Sequence, residues 1–353
     1  MRLGLVGLPQ VGKKTLFSLL TGQSPGHERG AEAIPGFAEV RDDRFEALVD
    51  MYSPKKRTAA QIEFALLPDM DTDAERNRTF FKLLERVDVI CYVARGFEDD
   101  TVFHNAGSVD AIRDIQNFAE ELELIDLIFI EKRLERIEKE KGKKTDLQTA
   151  ALESAVLEAM QAHLEAGKTL SSFELSEEAR LIVGSYPFLT DKPVVVILNV
   201  GDENPTDLPD GMTETFAEKA FRLIPVSAQV EQEISELDSE ERTDFMADLG
   251  IEAPAIDRLT RMCYEALGLI SFFTVGEDEV RAWTVKHGSS APQAGRAIHK
   301  DIERGFIRSE VINYQDLVSL GSEKSVKENG KLMQKGRDHI VEDGEIHHFL
   351  FKV

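Results

Sequence analysis

The amino-acid sequence predicts an α/β protein with a doubly wound, mostly parallel sheet, an inserted helical hairpin and a small C-terminal α+β domain. Three observations lead to this fold class. Continuous apolar runs alternate with helical segments along most of the chain, a long charged helical stretch interrupts them, and short alternating segments follow residue 268. Alternating strands and helices are typical of parallel βαβ units, whereas the last pattern is typical of a separate α+β sheet.

Five short apolar runs are predicted to be strands of the parallel sheet. Each is rich in aliphatic residues and bounded by polar turn residues, a pattern typical of strands that are covered on both faces. They are Leu3 to Val6, Ile62 to Leu67, Val89 to Ala94, Val194 to Leu198 and Leu223 to Val226. The intervening segments predict helices, for example Thr15 to Leu20, Arg76 to Glu85 and Thr213 to Phe221.

The segment between the third and fourth of these strands predicts an antiparallel helical hairpin. Mostly apolar residues recur there at three- and four-residue spacing on both sides of a break at Lys141 to Lys144. Two interpretations remain open. The hairpin is either a protruding arm for a partner or a stabilising insertion with an ordinary solvated face, because charge-rich helical arms serve both purposes.

The C-terminal region predicts a small independent sheet with one helix. We expect a helix over Ala294 to Arg304 between strands at Phe272 to Val275, Ala282 to Val285, Glu310 to Asn313 and Ile346 to Val353. The predicted domains are therefore a nucleotide-type domain over 1–112 and 187–268, the helical insertion over 113–186, and the C-terminal domain over 269–353.

Composition limits the possible function classes. The net charge is -23, which argues against general nucleic-acid affinity, although residues 270–353 are nearly neutral, with 12 Lys and Arg against 13 Asp and Glu. The chain has no apolar run of membrane-spanning length and no leader pattern, so we expect a cytoplasmic protein with no membrane partner. Its two cysteines, Cys91 and Cys263, indicate neither a disulfide framework nor a zinc site, and we interpret both as core residues.

The N-terminal segment has the pattern of a phosphate-binding loop. A strand is followed by Gly7, four further residues, Gly12 and Lys13, and then by an amphipathic helix. This spacing lets backbone N–H groups converge on phosphate oxygens, while the lysine supplies a cation at the start of the helix. We therefore predict that the loop binds a nucleotide, with contacts from Gln10, Val11, Gly12, Lys13, Lys14 and Thr15.

Lys14 departs from this pattern because a Ser or Thr hydroxyl normally holds magnesium at its position. Its side chain either points into solvent or places its ammonium near the vacated metal position. The next residue, Thr15, leaves the helix about 100° further round and is not expected to replace that hydroxyl. The loop thus predicts nucleotide binding without a magnesium ligand of its own.

The chain resembles the YchF, or Obg-like ATPase, family of P-loop proteins over essentially its whole length. The resemblance is carried by GLPQVGKKTLF, NVGDEN, SAQVEQEISELDSEER, VRAWTV, GRAIHKDIERGFIRSEVI and VEDGEIHHF. It implies a GTPase-type core, a helical insertion and a C-terminal β-grasp-like TGS domain. It also implies binding of ATP or GTP and a ribosomal or other RNA-containing partner.

The resemblance places a base-binding segment at Asn199-Val200-Gly201-Asp202. In GTPase-type proteins an Asn and an acidic residue at this spacing select the base. Val200 stands where a lysine is usual. The family typically carries Glu at the position of Asp202, and that Glu favours adenine, whereas Asp202 favours guanine. Ser227 and Ala228 resemble the loop that covers the far side of the base. The choice between ATP and GTP stays open.

The same alignment predicts that the magnesium site has been lost. The Asp-x-x-Gly that follows the first switch in the family aligns with Leu66 and Asp69, and the switch Thr aligns with Gly30. Together with Lys14, these changes remove the oxygen ligands that the protein supplies to magnesium. We therefore predict no catalytic or metal-binding residues, and we interpret the histidines of the C-terminal region as scattered surface or sheet residues: His287, His299, His339, His347 and His348.

Two function classes follow. The first is a translation-associated switch of the YchF type that binds ATP or GTP, with weak or lost hydrolysis. The second is a scaffold that binds nucleotide constitutively or not at all, and acts through its helical arm and TGS domain. The scaffold is favoured by the residues at the magnesium positions, Lys14, Leu66 and Gly30. The switch is favoured by the phosphate-loop residues Gly7, Gly12 and Lys13, because a protein that no longer binds nucleotide has little physical need of these residues.

Overall fold

The computed structural model describes residues 1–26, 32–70, 77–104, 107–140 and 147–352. The strands in these residues are β1 (Arg2–Gly7), β2 (Ile34–Glu39), β3 (Lys56–Thr58), β4 (Gln61–Leu66), β5 (Val89–Arg95), β6 (Val194–Asn199), β7 (Arg222–Val226), β8 (Leu269–Thr274), β9 (Glu279–Lys286), β10 (Phe306–Asn313), β11 (Met333–Lys335) and β12 (Glu345–Phe351). The chain divides into two compact units, residues 1–36 with 64–256 and residues 37–63 with 257–353.

The helices lie mostly between these strands. They are α1 (Lys13–Thr21), α2 (Asp43–Tyr52), α3 (Arg78–Leu84), α4 (Ala111–Glu140), α5 (Leu147–Glu165), α6 (Glu177–Val183), α7 (Met212–Phe216), α8 (Ala228–Glu236), α9 (Ser239–Asp248), α10 (Ala255–Ala266), α11 (Ala291–Ile298), α12 (Lys300–Gly305), α13 (Tyr314–Leu320) and α14 (Glu323–Glu328). Two short 3-10 helices cover Leu170–Ser172 and Ala217–Lys219.

A mostly parallel sheet organises the first unit and confirms the predicted fold class. Its strand order in the described residues is β2-β4-β1-β5-β6-β7, with β1, β5, β6 and β7 parallel to one another. All residues of β5 and β6 are buried, as the apolar runs Val89 to Ala94 and Val194 to Leu198 predict. Because the strands are parallel, their carboxyl ends meet at one edge, where ligands of open α/β sheets bind.

The predicted helical hairpin is present as α4 and α5. The two helices pack through a cluster of buried aliphatic residues that includes Ile130, Ile137, Leu157 and Met160. A polar contact lies beside this cluster, where Arg133 donates to both carboxylate oxygens of Glu153 at 2.5 and 2.9 Å. The break predicted at residues 141–144 lies outside the described residues. The 30-residue α4 is about 45 Å long, since an α-helix rises about 1.5 Å per residue.

The second unit contains the predicted C-terminal α+β sheet and also residues 37–63, which sequence analysis did not assign to it. The sheet order is β11-β10-β12-β8-β9-β3, and the short β3 runs parallel to β9. Arg44 fixes the added segment, because its guanidinium donates to Asp343 at 2.7 Å. The division into three domains was based on other boundaries and stays a prediction.

Two predicted helices differ from those observed. The helix predicted over Ala294 to Arg304 is two helices, because His299 leaves helical geometry with φ -161° and ψ 140° and accepts a hydrogen bond from the Asp301 N–H at 3.2 Å. The helix predicted over Thr213 to Phe221 ends as a 3-10 turn, after which Ala220 has φ 54°. Both cysteines are fully buried, as predicted.

Candidate nucleotide-binding site

The phosphate loop lies between the carboxyl end of β1 and the N-terminus of α1. Its shape depends on glycine at two positions. Gly12 has φ 88°, and a Cβ atom there would lie 2.1 Å from Asn199 Nδ2. Gly7 has φ 154°, and its Cβ would lie 2.6 Å from the Val93 carbonyl oxygen. The first N–H groups of any α-helix have no hydrogen-bond partner within the helix. The start of α1 therefore offers an anion these N–H donors and the positive end of the helix dipole.

Lys13 points into the loop and is buried, with 3% of its surface exposed. Its Nζ atom donates to the carbonyl oxygens of Gly7 at 3.3 Å and Pro68 at 3.1 Å, and pairs with Asp69 Oδ1 at 2.9 Å. Burial lowers the pKa of Lys13, and the Asp69 carboxylate opposes that shift. Lys13 is therefore a desolvated cation held by three oxygen acceptors, and phosphate oxygens can accept the same hydrogen bonds.

The Lys13 contact also locates Asp69, which the alignment placed where the family has glycine. Leu66 ends β4 and is buried, and the chain then turns so that the half-exposed Asp69 carboxylate reaches the lysine. Sequence analysis missed this contact, because it depends on the turn after β4. The only available signal was a carboxylate three residues beyond the strand.

Lys14 and Leu66 are the described positions that align with magnesium ligands, and neither side chain contains oxygen. The side chain of Lys14 is exposed, Thr15 is also exposed, and Leu66 is apolar and buried. The prediction for Gly30 lies outside the described residues. The side chains of Lys14 and Leu66 therefore offer none of the oxygen atoms that Mg²⁺ prefers, and loss of the magnesium site stays a prediction.

Asn199 links the phosphate loop to the segment after β7. Its side-chain amide donates to the Val11 carbonyl oxygen at 2.9 Å, and its Oδ1 accepts from the Ala228 N–H at 3.1 Å. Ser227 caps the N-terminus of α8, and its Oγ accepts from the Val230 N–H at 3.3 Å. The structure thus brings together three parts of the predicted site that are far apart in the sequence.

The remaining predicted residues lie at the rim of this site. Val200 is half-buried and donates its N–H to the Val226 carbonyl oxygen at 3.1 Å, while Asp202 is exposed. Gln10 is exposed and has φ 63°, a conformation uncommon for a residue other than glycine. Such backbone strain is often kept at ligand sites.

The histidines of the second unit are not all scattered, which corrects the interpretation made from the sequence. His339 and His347 both approach the buried carboxylate of Glu345. Burial alone would raise the pKa of Glu345, but hydrogen bonds from His347, the Glu342 N–H and His339 lower it to about 2. Burial lowers the pKa of His347. The exposed His287, His299 and His348 lie at the surface, as predicted.

Three features define a protein of the P-loop GTPase fold: the glycine loop at the end of β1, the buried lysine and the asparagine that ends β6. Comparison with known proteins agrees. A family model named YchF-GTPase_C, described as "Protein of unknown function (DUF933)", matches residues 269–352. The solved structure of the Schizosaccharomyces pombe YchF GTPase is similar with a TM-score of 0.87 and 29% identity, covering 99% of this chain and 97% of that one.

Curated relatives match over nearly the whole chain. The Ribosome-binding ATPase YchF of Bacillus subtilis is 37% identical and that of Haemophilus influenzae 38%, each covering 99% of both chains. Obg-like ATPase 1 of Oryza sativa subsp. japonica is 34% identical, over 100% of this chain and 92% of the relative. The chain belongs to the YchF family. None of the helices in the described residues has the length and apolar character needed to cross a membrane.

Proposed function

We propose that this chain is a cytoplasmic, ribosome-associated switch that binds ATP or GTP and hydrolyses it slowly at best. The observation that carries nucleotide binding is the buried Lys13 ammonium inside a loop shaped by Gly7 and Gly12. Burying a lysine is costly unless an anion or several acceptors compensate. The ribosomal partner is inferred from the names of the Bacillus and Haemophilus relatives, which are called ribosome-binding ATPases.

Slow hydrolysis is inferred from the residues at the magnesium positions. A lysine in place of the loop hydroxyl and a leucine in place of the strand aspartate remove two side-chain oxygens that hold the ion in the family. Magnesium normally neutralises the charge that develops during phosphoryl transfer, so a poorly held ion weakens catalysis more than binding. Lys14 adds a second cation at the start of α1 that could offset part of the missing charge.

The Lys13–Asp69 ion pair stabilises the buried lysine of the loop. Phosphate oxygens would take over the hydrogen bonds that Asp69 and the carbonyl oxygens of Gly7 and Pro68 make to Nζ. Binding therefore requires the Asp69 carboxylate to move away, because two anions at one lysine repel each other. In this proposal the segment after β4 is where the protein senses nucleotide, and Asp69 is the residue that responds.

Isothermal titration calorimetry with ATP and GTP, each in magnesium and in EDTA, tests this proposal. We expect at least one nucleotide to bind with an affinity that magnesium changes less than about threefold, together with little phosphate release. Tight binding that disappears in EDTA, joined to steady turnover, would contradict the loss of the metal site. The same titrations determine which base is preferred.

The second candidate function is a scaffold acting through the helical arm and the TGS domain. It is favoured by Asp69, because a carboxylate that already satisfies the loop lysine gives the fold stability without nucleotide. In that case neither nucleotide binds detectably in calorimetry. The arm remains available to a partner in both proposals, since α4 carries a long charged face.

We expect Lys14→Ser alone not to restore hydrolysis. The substitution returns the loop hydroxyl, but Leu66 still supplies no oxygen at the end of β4. Phosphate release should stay within about twofold of the unchanged protein in a steady-state assay with excess magnesium. Clear turnover in this single variant would show that the strand has been aligned wrongly, and Lys14→Arg serves as the charge-conserving control.

A further inference from the structure

Three metal-ligating side chains converge in the second unit, outside the nucleotide site. The Nε2 atom of His347 lies 3.0 Å from Glu345 Oε2, and the Nε2 atom of His339 lies 2.9 Å from the same oxygen. One nitrogen or oxygen atom from each of the three residues lies within 4.8 Å of the other two. Both imidazoles therefore direct the same ring nitrogen toward one carboxylate.

We propose that His339, Glu345 and His347 form a binding site for Zn²⁺. Two imidazoles and one carboxylate are a ligand set that zinc uses when a fourth position is left for water or another ligand. Bond lengths of about 2.0–2.2 Å place tetrahedral zinc ligands about 3.3–3.5 Å apart. The Nε2 to Oε2 separations are a few tenths of an ångström shorter, so a small outward movement of the side chains accommodates the ion.

The backbone places two of the ligands on one face of a strand. Glu345 and His347 are two residues apart in β12, and side chains at this spacing point to the same side of a sheet. The His347 ring is held by Phe349, with ring centroids 5.2 Å apart, and by the edge of Phe272 at 5.4 Å. This packing restricts the ring, so little conformational freedom is lost when it binds an ion.

The third ligand comes from the loop before β12. The His339 carbonyl oxygen accepts from the Ala291 N–H at 2.8 Å, and two residues later Val341 donates its N–H to the Ser289 carbonyl oxygen at 2.9 Å. These bonds fix the loop against the start of α11. The His339 side chain is 11% exposed, compared with 5% for Glu345 and 0% for His347. An ion and its water ligand would therefore enter from the His339 side.

A buried hydroxyl supports the His347 ring in the orientation that zinc requires. The Oγ atom of Ser309 lies 2.9 Å from His347 Nδ1, and Ser309 is fully buried. With zinc on Nε2, Nδ1–H donates to this hydroxyl, which is the outer contact that ligating histidines usually make. Without zinc, Nε2–H donates to Glu345 and the hydroxyl donates to Nδ1. The hydrogen bonds of the cluster are therefore satisfied in both states, and the ring changes only its tautomer.

The ligand types select the metal class. Magnesium and calcium prefer oxygen ligands, so a site with two imidazoles and one carboxylate discriminates against them. The zinc ligands and Lys13 belong to different compact units, so the zinc test uses residues separate from those of the nucleotide site. The zinc test can therefore fail or succeed without bearing on nucleotide binding.

The test uses the full chain without a histidine tag, stripped with EDTA and exchanged into buffer free of nucleotide. Co²⁺ is added as a spectroscopic probe and Zn²⁺ is titrated against a chromophoric chelator. We expect a visible Co²⁺ d–d absorption band that saturates at one ion per chain and is abolished by zinc. A tenfold or larger excess of Mg²⁺ should leave the band unchanged.

His339→Gln is the principal variant because its side chain is the most exposed of the three, and circular dichroism checks its fold. We expect at least a tenfold loss of zinc affinity in His339→Gln and in Glu345→Gln. His348→Gln is the matched control, since the exposed His348 is next to His347 in β12, and it should bind zinc as the unchanged chain does. Absence of a Co²⁺ band in the unchanged chain, or equal zinc affinity in His339→Gln, would overturn the proposal.

Discussion

Asp69→Asn is expected to raise nucleotide affinity about tenfold, equivalent to about 1.4 kcal/mol of binding free energy. The Asp69 carboxylate pairs with Lys13 Nζ at 2.9 Å. Bound phosphate must replace this contact and then lie near the same negative charge. Asparagine keeps the size of the side chain but removes that charge, so both the competition and the repulsion decrease.

The measurement is calorimetric titration of the unchanged and variant chains with the preferred nucleotide at two salt concentrations. The gain should decrease at high salt, because the half-exposed carboxylate is accessible to counterions. Asp244→Asn, on the exposed surface of α9, changes the net charge equally and should leave affinity unaltered. An unchanged or weaker affinity in Asp69→Asn would show that Asp69 supports the bound state instead of competing with phosphate.

A double-mutant cycle separates the ion pair from other effects of the substitution. Lys13→Met removes the cation, and once it is absent Asp69→Asn should change nucleotide affinity by much less than tenfold. The difference between the two effects of Asp69→Asn measures the coupling of the two residues. Equal effects in both backgrounds would mean that Asp69 acts directly on the phosphates and not through Lys13.

The strands of the central sheet could be predicted because buried strands have continuous apolar sequences. The runs at Val89 and Val194 are continuously apolar. The observed strands start at the predicted residues and extend one residue beyond the predicted ends. The short β3 has the polar sequence Lys-Arg-Thr and therefore lacks this apolar pattern. It is a strand because its backbone pairs with β9, more than 200 residues away, and no local pattern encodes that pairing.

The same distinction applies to the two sites. Glycine spacing predicted the phosphate loop because the chain must adopt positive φ at Gly12, a requirement that is local to the sequence. Lys13 and Asp69 are 56 positions apart, and their contact depends on the irregular turn after β4. No spacing pattern in the sequence predicts such a contact. The histidine cluster was missed for a related reason. Glu345 and His347 share a strand face, but His339 reaches them only through a loop whose course is set by Ser289 and Ala291.

Gly12→Ala is expected to reduce nucleotide affinity on the order of 100-fold, about 2.7 kcal/mol. Gly12 has φ 88°, where an alanine is strained, and the new Cβ would lie 2.1 Å from Asn199 Nδ2. Asn199 would have to move, which breaks its hydrogen bonds to the Val11 carbonyl oxygen and the Ala228 N–H. The substitution therefore disturbs the phosphate loop and the base side of the site together.

Gly22→Ala provides the matched control at the other end of the same helix. Gly22 also has a left-handed φ, 67°, but a Cβ there would meet nothing within 4 Å. Its substitution should cost only the backbone strain, roughly 1–2 kcal/mol of unfolding free energy, and leave nucleotide affinity within about twofold. Urea unfolding and calorimetry on both variants separate strain from collision. If Gly12→Ala bound nucleotide as well as Gly22→Ala does, Asn199 could not be the element that holds the loop in its binding conformation.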